Sequence, residues 1–169
     1  NYEVVDEERN GERPVIVPGF CDAHVHSVQN AVRGQFRGKL LPWLQENIWP
    51  EEAPFADPMV AAEQAQKFFA DLAKSGTVMA AIFSSVHEKA LRAAFEEAVG
   101  HVVMGNVLMT DNSPSYLQQD PDDAINLTNR LAGEFGSSYA VTPRFAITCS
   151  ADVLKRAGGI ARRNNSWVQ

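Results

Sequence analysis

Histidine is scarce in this chain, with four in 169 residues, yet His24 and His26 are separated by a single residue. Cysteine is scarcer: Cys21 and Cys149 stand far apart and in no C-x-x-C pattern. That speaks against a disulfide framework and fits free, buried thiols in a reducing compartment. No apolar run approaches the roughly 20 residues a membrane span needs, and the N-terminus shows no signal-peptide pattern, so a cytoplasmic location without a membrane partner is expected. Basic residues do not gather into a run. The densest stretch, "RGQFRGK" (33–39), reads as a solvated loop. With a formal net charge of −6, neither nucleic acid nor an anionic membrane surface is an expected partner. No glycine-rich phosphate loop follows any predicted strand, which argues against a doubly wound phosphate-binding domain.

What is present is apolar content, 45 % of residues, enough to bury the core of a domain. The opening "NYEVVDEERNGERPVIVPGF" reads as a strand, a charged turn at Asn10-Gly11 and a second strand. Residues 27–57 show little period. Regular alternation begins at Asp57-Pro58, a helix cap with a first-turn proline, followed by Ala61, Ala65, Phe68, Phe69 and Leu72 at helical spacing. Gly76 closes that helix, and "TVMAAIF" (77–83) follows as a strand. Ser85 and Glu88 form an expected capping box for a helix carrying Leu91, Ala94, Phe95 and Ala98. Strand "HVVMGNVLM" (101–109) precedes a helix opened by Asp120-Pro121 and closed at Gly136. Strand "YAVTPRFA" (139–146), a helix capped by Ser150, and "SWVQ" (166–169) complete the alternation.

Strands that are apolar throughout are buried on both faces, so the sheet is expected to be parallel with helices outside it. Two α/β architectures fit: an open doubly wound sheet or part of an eight-stranded barrel. A whole barrel takes about 250 residues, so the chain is expected to hold only about the first half of one. In that frame "FCDAHVH" (20–26) is the first barrel strand. Alternate residues on a strand share a face, so His24 and His26 deliver two imidazoles to one point at its C-terminal end. Neutral imidazole is a common zinc ligand, and two satisfied structural histidines are the ordinary alternative. Asp22 shares their parity and suits either an imidazole N–H or nearby backbone. His87 and His101 read as structural.

"VPGFCDAHVHSVQ" resembles the first-strand signature of the amidohydrolase superfamily. "LLPWLQENIWPEE" (40–52), "SGTVMAAIFSSVHEKAL" (75–91), "GNVLMTDNSPSYL" (105–117) and "VTPRFAITCS" (141–150) are similar, in order and spacing, to segments of the guanine deaminase family within it. The resemblance implies a (β/α)8 barrel of the amidohydrolase kind, from its first strand to the start of its fifth, over residues 18–169. Residues 1–17 would then be part of a small β domain. It also implies zinc-dependent hydrolysis of guanine to xanthine and ammonia in purine breakdown, by a homodimer with one zinc per subunit. His24 and His26 are then two metal ligands, and Gln29, Arg144 and Phe145 belong to the purine pocket. The remaining ligands and the acid/base residues are expected beyond Gln169, which leaves this segment alone without catalysis. Asn106 and Thr110 depart from the family pattern, where lysine and aspartate are common. Trp43 and Trp49 belong either to a lid over the pocket or to a packed connection. The rival readings are an amidohydrolase acting on another aminated or chlorinated ring, and an inert scaffold of the same fold.

Overall fold

The computed structural model describes residues 15–35 and 38–169. The strand pair expected at the N-terminus, and with it most of the small β domain at 1–17, falls outside the described residues. Residues 15–19 carry no regular secondary structure. The elements that follow are β1 (Phe20–His26), α1 (Leu40–Trp43), α2 (Trp49–Glu52), α3 (Pro58–Lys74), β2 (Thr77–Phe83), α4 (Glu88–Glu96), β3 (His101–Gly105), β4 (Val107–Leu108), α5 (Pro121–Phe135), β5 (Ala140–Pro143), α6 (Ala151–Asn164) and β6 (Trp167–Val168).

Every strand pair is parallel. β1, β2 and β3 form one sheet and β4, β5 and β6 another, in sequence order, joined by a bridge between Met104 and Tyr139. This order decides between the two candidate architectures. A doubly wound sheet reverses direction at a switch point, whereas here each strand adds on the same side as the last, which builds an arc of a (β/α)8 barrel.

The strand expected over 101–109 is broken at Asn106, where the chain changes partners from β2 to β5. Asn106 is fully buried and its Oδ1 accepts the Tyr139 hydroxyl at 2.5 Å. Gly105 lies so close to β5 that a Cβ there would collide with the Ala140 carbonyl and the Thr142 hydroxyl. The next strand is also shorter than expected: β5 ends at Pro143, and 146–148 form a 3-10 turn.

Three helices, α3, α5 and α6, start where side chains satisfy the free N–H groups of a first turn. Asp57 accepts from Met59, Asp120 from Asp122 and Asp123, and Ser150 from Val153. Gly136 ends α5 at φ 54°, a conformation that favours glycine. The capping box at Ser85 does not form. His87 is the N-cap of α4, the Ser85 hydroxyl accepts the His87 N–H at 3.2 Å, and Glu88 instead binds Arg92 and Arg130. That helix ends at Glu96, before Ala98.

The described residues between 27 and 56, where the sequence shows little period, are helical over much of their length. A 3-10 turn covers 27–32, and α1, a π turn (44–48), α2 and a second 3-10 turn (53–56) follow in succession. Each change of winding resets the direction in which side chains point, so no single period survives in the sequence.

Among the described residues, two apolar clusters bear on the site. One lies between sheet and helices: Ile82, Met104, Leu108 and Val141 pack against Phe68, Leu91, Leu131 and Val153. The other fills the barrel mouth, where Phe83, Val107 and Met109 meet Ile48 and Trp49. A fully buried leucine such as Leu131 contributes about 1.5–3 kcal/mol. Cys149 is buried and Cys21, on β1, is exposed. Among the described residues no helix is long and apolar enough to cross a membrane.

Asp120→Ala removes an acceptor for two N–H groups and should cost about 1–2 kcal/mol in urea unfolding. Exposed Asp123→Ala should stay within about 0.5 kcal/mol of the parent. Equal losses for both would contradict this reading of the cap.

Candidate metal and substrate site

The parallel register sets the site. His26 pairs with Phe83, and Phe83 with Gly105, so these three sit in one row at the strand ends. Phe83 backs both imidazoles. Its ring centroid lies 4.5 Å from that of His24 and 4.7 Å from that of His26. The histidine rings are 5.2 Å apart, edge to face. Two imidazoles bound to one tetrahedral ion at about 2.1 Å hold their centroids about 5 Å apart, so the spacing fits shared coordination. The His26 Nδ1 atom is buried without a hydrogen-bond partner, and as an unprotonated nitrogen its lone pair is one a metal would satisfy. Among the described residues no group of three or more His, Cys, Asp or Glu side chains could hold a metal. This segment offers two converging imidazoles.

Asp22 does not orient an imidazole. Its carboxylate accepts the His24 backbone N–H at 3.1 Å, the local alternative open to it. His87 is half-buried at the start of α4, its Nε2 buried without a partner, and burial lowers its pKa. His101 is exposed at the N-terminal end of β3, away from the row at the strand ends.

Burial holds the His26 imidazole far below its usual value of 6.5, at about 3, with the Arg144 cation and His24 pushing the same way. Arg144 therefore lies within electrostatic reach of His26. It follows the end of β5 and is almost wholly enclosed, its side chain 3 % exposed. A charge so placed requires a partner, and that partner is Glu52. The Glu52 side chain is 1 % exposed and accepts from Arg144 Nη1 at 2.5 Å and Nη2 at 2.7 Å. Gln29, in the 3-10 turn after His26, donates its Nε2 to the same carboxylate at 2.9 Å. Gln29 and Arg144 are thus joined through one residue. Glu52 escaped sequence reasoning because a glutamate beside Pro50 and Glu51 looks like solvated surface. The signal available was its place in "LLPWLQENIWPEE", a segment too apolar to be a free loop.

Phe145 is half-buried and packs, with Trp43, against the mouth cluster. Trp49 lies inside that cluster, 4 % exposed, so 40–56 is a packed connection seated over the barrel mouth. Thr110 is buried and donates its hydroxyl to Asp111 at 2.8 Å. A cleft of about 520 Å³ opens beside this assembly, lined by His24, His26, Gln29, Trp43 and Ile48 among others.

The amidohydrolase family profile matches residues 15–169. The chain belongs to the amidohydrolase family. Among its relatives, guanine deaminase of Escherichia coli (strain K12) is 34 % identical over 163 residues, covering 91 % of this chain and 37 % of the relative. A probable guanine deaminase of Deinococcus radiodurans is 38 % identical over 147 residues, covering 83 % and 34 %. The crystal structure of guanine deaminase from C. acetobutylicum, with guanine bound in its active site, superposes with a TM-score of 0.83 at 29 % identity, over 90 % of this chain and 39 % of that one. This amidohydrolase segment therefore spans little more than a third of the length of the relatives it matches.

His26 binds its proton less readily when folded than when unfolded. Stability should be full above pH 6.5 and fall as pH drops from there towards about 3. In the metal-free chain, NMR should find the His26 ring untitrated between about pH 7 and 4. His26→Gln should flatten the acid side of the stability profile. A midpoint near the ordinary histidine value would contradict the burial assigned to this ring.

Proposed function

We propose that this segment is part of a zinc-dependent aminohydrolase that converts guanine and water to xanthine and ammonia. The observation that carries the reading is the convergence of His24 and His26 beside the Gln29–Glu52–Arg144 cluster, in a chain similar to guanine deaminases. On this reading His24 and His26 are two of the zinc ligands. Their fit rests on the ring spacing and on the unpartnered buried nitrogen of His26. Zinc in such a site supplies a hydrolytic nucleophile near neutral pH by acidifying water.

The residues of this segment supply binding and orientation. A flat heterocycle with hydrogen-bonding edges needs a planar donor, an amide and an aromatic face. Arg144, Gln29 and Phe145 take those roles, as the resemblance of "PRF" and of the glutamine after H-x-H implies. Arg144 and Gln29 hold the purine by its oxo edge, which places C2 towards the histidines and contributes through positioning. The mouth cluster around Trp49 and Phe83 excludes water from the back of the pocket. The acid/base group and the remaining ligands are assigned to sequence outside this segment. Purine breakdown in the cytoplasm and a homodimeric state complete the reading that the resemblance supports.

The test is guanine turnover and metal content in a protein of the relatives' full length that carries these residues. About one zinc per chain is expected, with xanthine and ammonia formed in equal amounts. Chelation should abolish turnover, zinc should restore it, and His26→Ala should lose both zinc and activity. A zinc-loaded protein that ignores guanine but hydrolyses another aminated ring would overturn the substrate and leave the family untouched.

A further inference from the structure

We infer that Glu52 is a positioning residue that sets the hydrogen-bonding polarity of the pocket, and so selects a cyclic-amide edge over an amidine edge in the bound ring. The inference rests on the reading of Gln29 and Arg144 as substrate contacts. Three donors converge on the Glu52 carboxylate: Arg144 Nη1 at 2.5 Å, Arg144 Nη2 at 2.7 Å and Gln29 Nε2 at 2.9 Å. An ionised carboxylate only accepts hydrogen bonds. Gln29 must therefore turn its NH2 group towards Glu52, which faces its Oε1, an acceptor, away from Glu52 towards a ligand. Without such a neighbour a glutamine amide is free to present either end.

Arg144 is fixed by the same carboxylate. The two-point contact occupies two of its five N–H groups and holds the guanidinium plane. Met109 Sδ lies 3.8 Å from Nη1 on another side. The groups left to a ligand are N–H donors only. Side by side, Arg144 offers a donor and Gln29 an acceptor. The matching ligand edge is a carbonyl next to a ring N–H, as in a 6-oxopurine. A 6-aminopurine carries the reverse pattern, an amino donor next to a ring-nitrogen acceptor, and meets a mismatch at both points. Sites built around buried polar groups reject such a mismatch because the groups are left unpaired.

Glu52 reaches this position from far away in sequence. It stands 92 residues from Arg144, on a short helix carried by the packed connection over the mouth. The alternative role is purely structural, a tie between α2 and the end of β5. The two roles differ in one respect: a tie affects all ligands alike, whereas a polarity-setting residue changes the ratio between them.

The experiment uses metal-free protein of full length carrying these residues, as the parent, Glu52→Gln and Glu52→Asp. Binding of hypoxanthine and of adenine is measured by calorimetry at pH 7, with guanine turnover of the zinc-loaded parent followed in parallel. The parent should favour hypoxanthine by at least about 30-fold, the cost of two mismatched contacts. Glu52→Gln can donate as well as accept, frees the Gln29 amide to turn, and should reduce that ratio at least tenfold. Glu52→Asp keeps an acceptor-only carboxylate and should hold the ratio within about threefold while binding both ligands more weakly. A parent ratio below about threefold, or a Glu52→Gln protein that weakens both ligands by the same factor, would overturn the inference. If Glu52→Gln does not fold, the parent ratio and Glu52→Asp decide, and an aspartate variant that loses the ratio overturns it. Absence of guanine turnover with the ratio intact would sink the deaminase reading and leave the role of Glu52 standing.

Discussion

Parallel strands deliver all their C-terminal ends to one rim, and the site depends on that constraint. His26 at the end of β1, Phe83 at the end of β2, and Arg144 just past β5 come from distant parts of the chain. The register sets His26 and Phe83 level, and the bridge from Met104 to Tyr139 brings the strand that carries Arg144 into the same arc. Alternation of side chains along β1 then turns His24 and His26 to the same side. An antiparallel arrangement of the same segments would send every second strand end to the opposite rim. The paired histidines would lose both the aromatic wall behind them and the cation beside them.

The second constraint is the burial of a charge. Arg144 is enclosed at the mouth, and a buried guanidinium is tolerated only with a partner that satisfies its donors. Glu52 supplies that partner and brings Gln29 into the same network. The segment over the mouth is shaped accordingly. Ile48 and Trp49 anchor it in the apolar cluster with Phe83 and Met109, and Glu52 follows one short helix later. Packing of 40–56 and the orientation of Arg144 are thereby coupled: what seats the connection also holds the polar groups beneath it.

Much of the arc was readable from the sequence, because its elements obey local rules. Asp57, Asp120 and Ser150 cap helices as their position before apolar-periodic stretches implies, and "TVMAAIF" forms β2 with the bounds its apolar run has. Where reading failed, a tertiary contact overrode the local signal. Asn106 breaks a strand because the chain exchanges β2 for β5 there. Ser85 forms no capping box because Glu88 is drawn to Arg92 and Arg130. The connection 27–56 hides its helices because the winding changes every few residues. At the site, the H-x-H spacing exposed the histidines directly, since two residues on one strand need only parity. Gln29, Arg144 and Phe145 were reached through resemblance to a family. Glu52 was reached by neither route: its meaning lies in a contact 92 residues away, which no local pattern encodes.

The most direct test is a crystal structure of a zinc-loaded protein of the relatives' length, carrying these residues, with xanthine bound. Anomalous zinc density is expected to be shared by His24 and His26 at about 2.1 Å from each imidazole. The purine is expected to face Arg144 and Gln29 with its 6-oxo edge, with Glu52 holding both from behind. Zinc bound away from the two histidines, or a purine with its oxo edge turned away from Arg144, would contradict it.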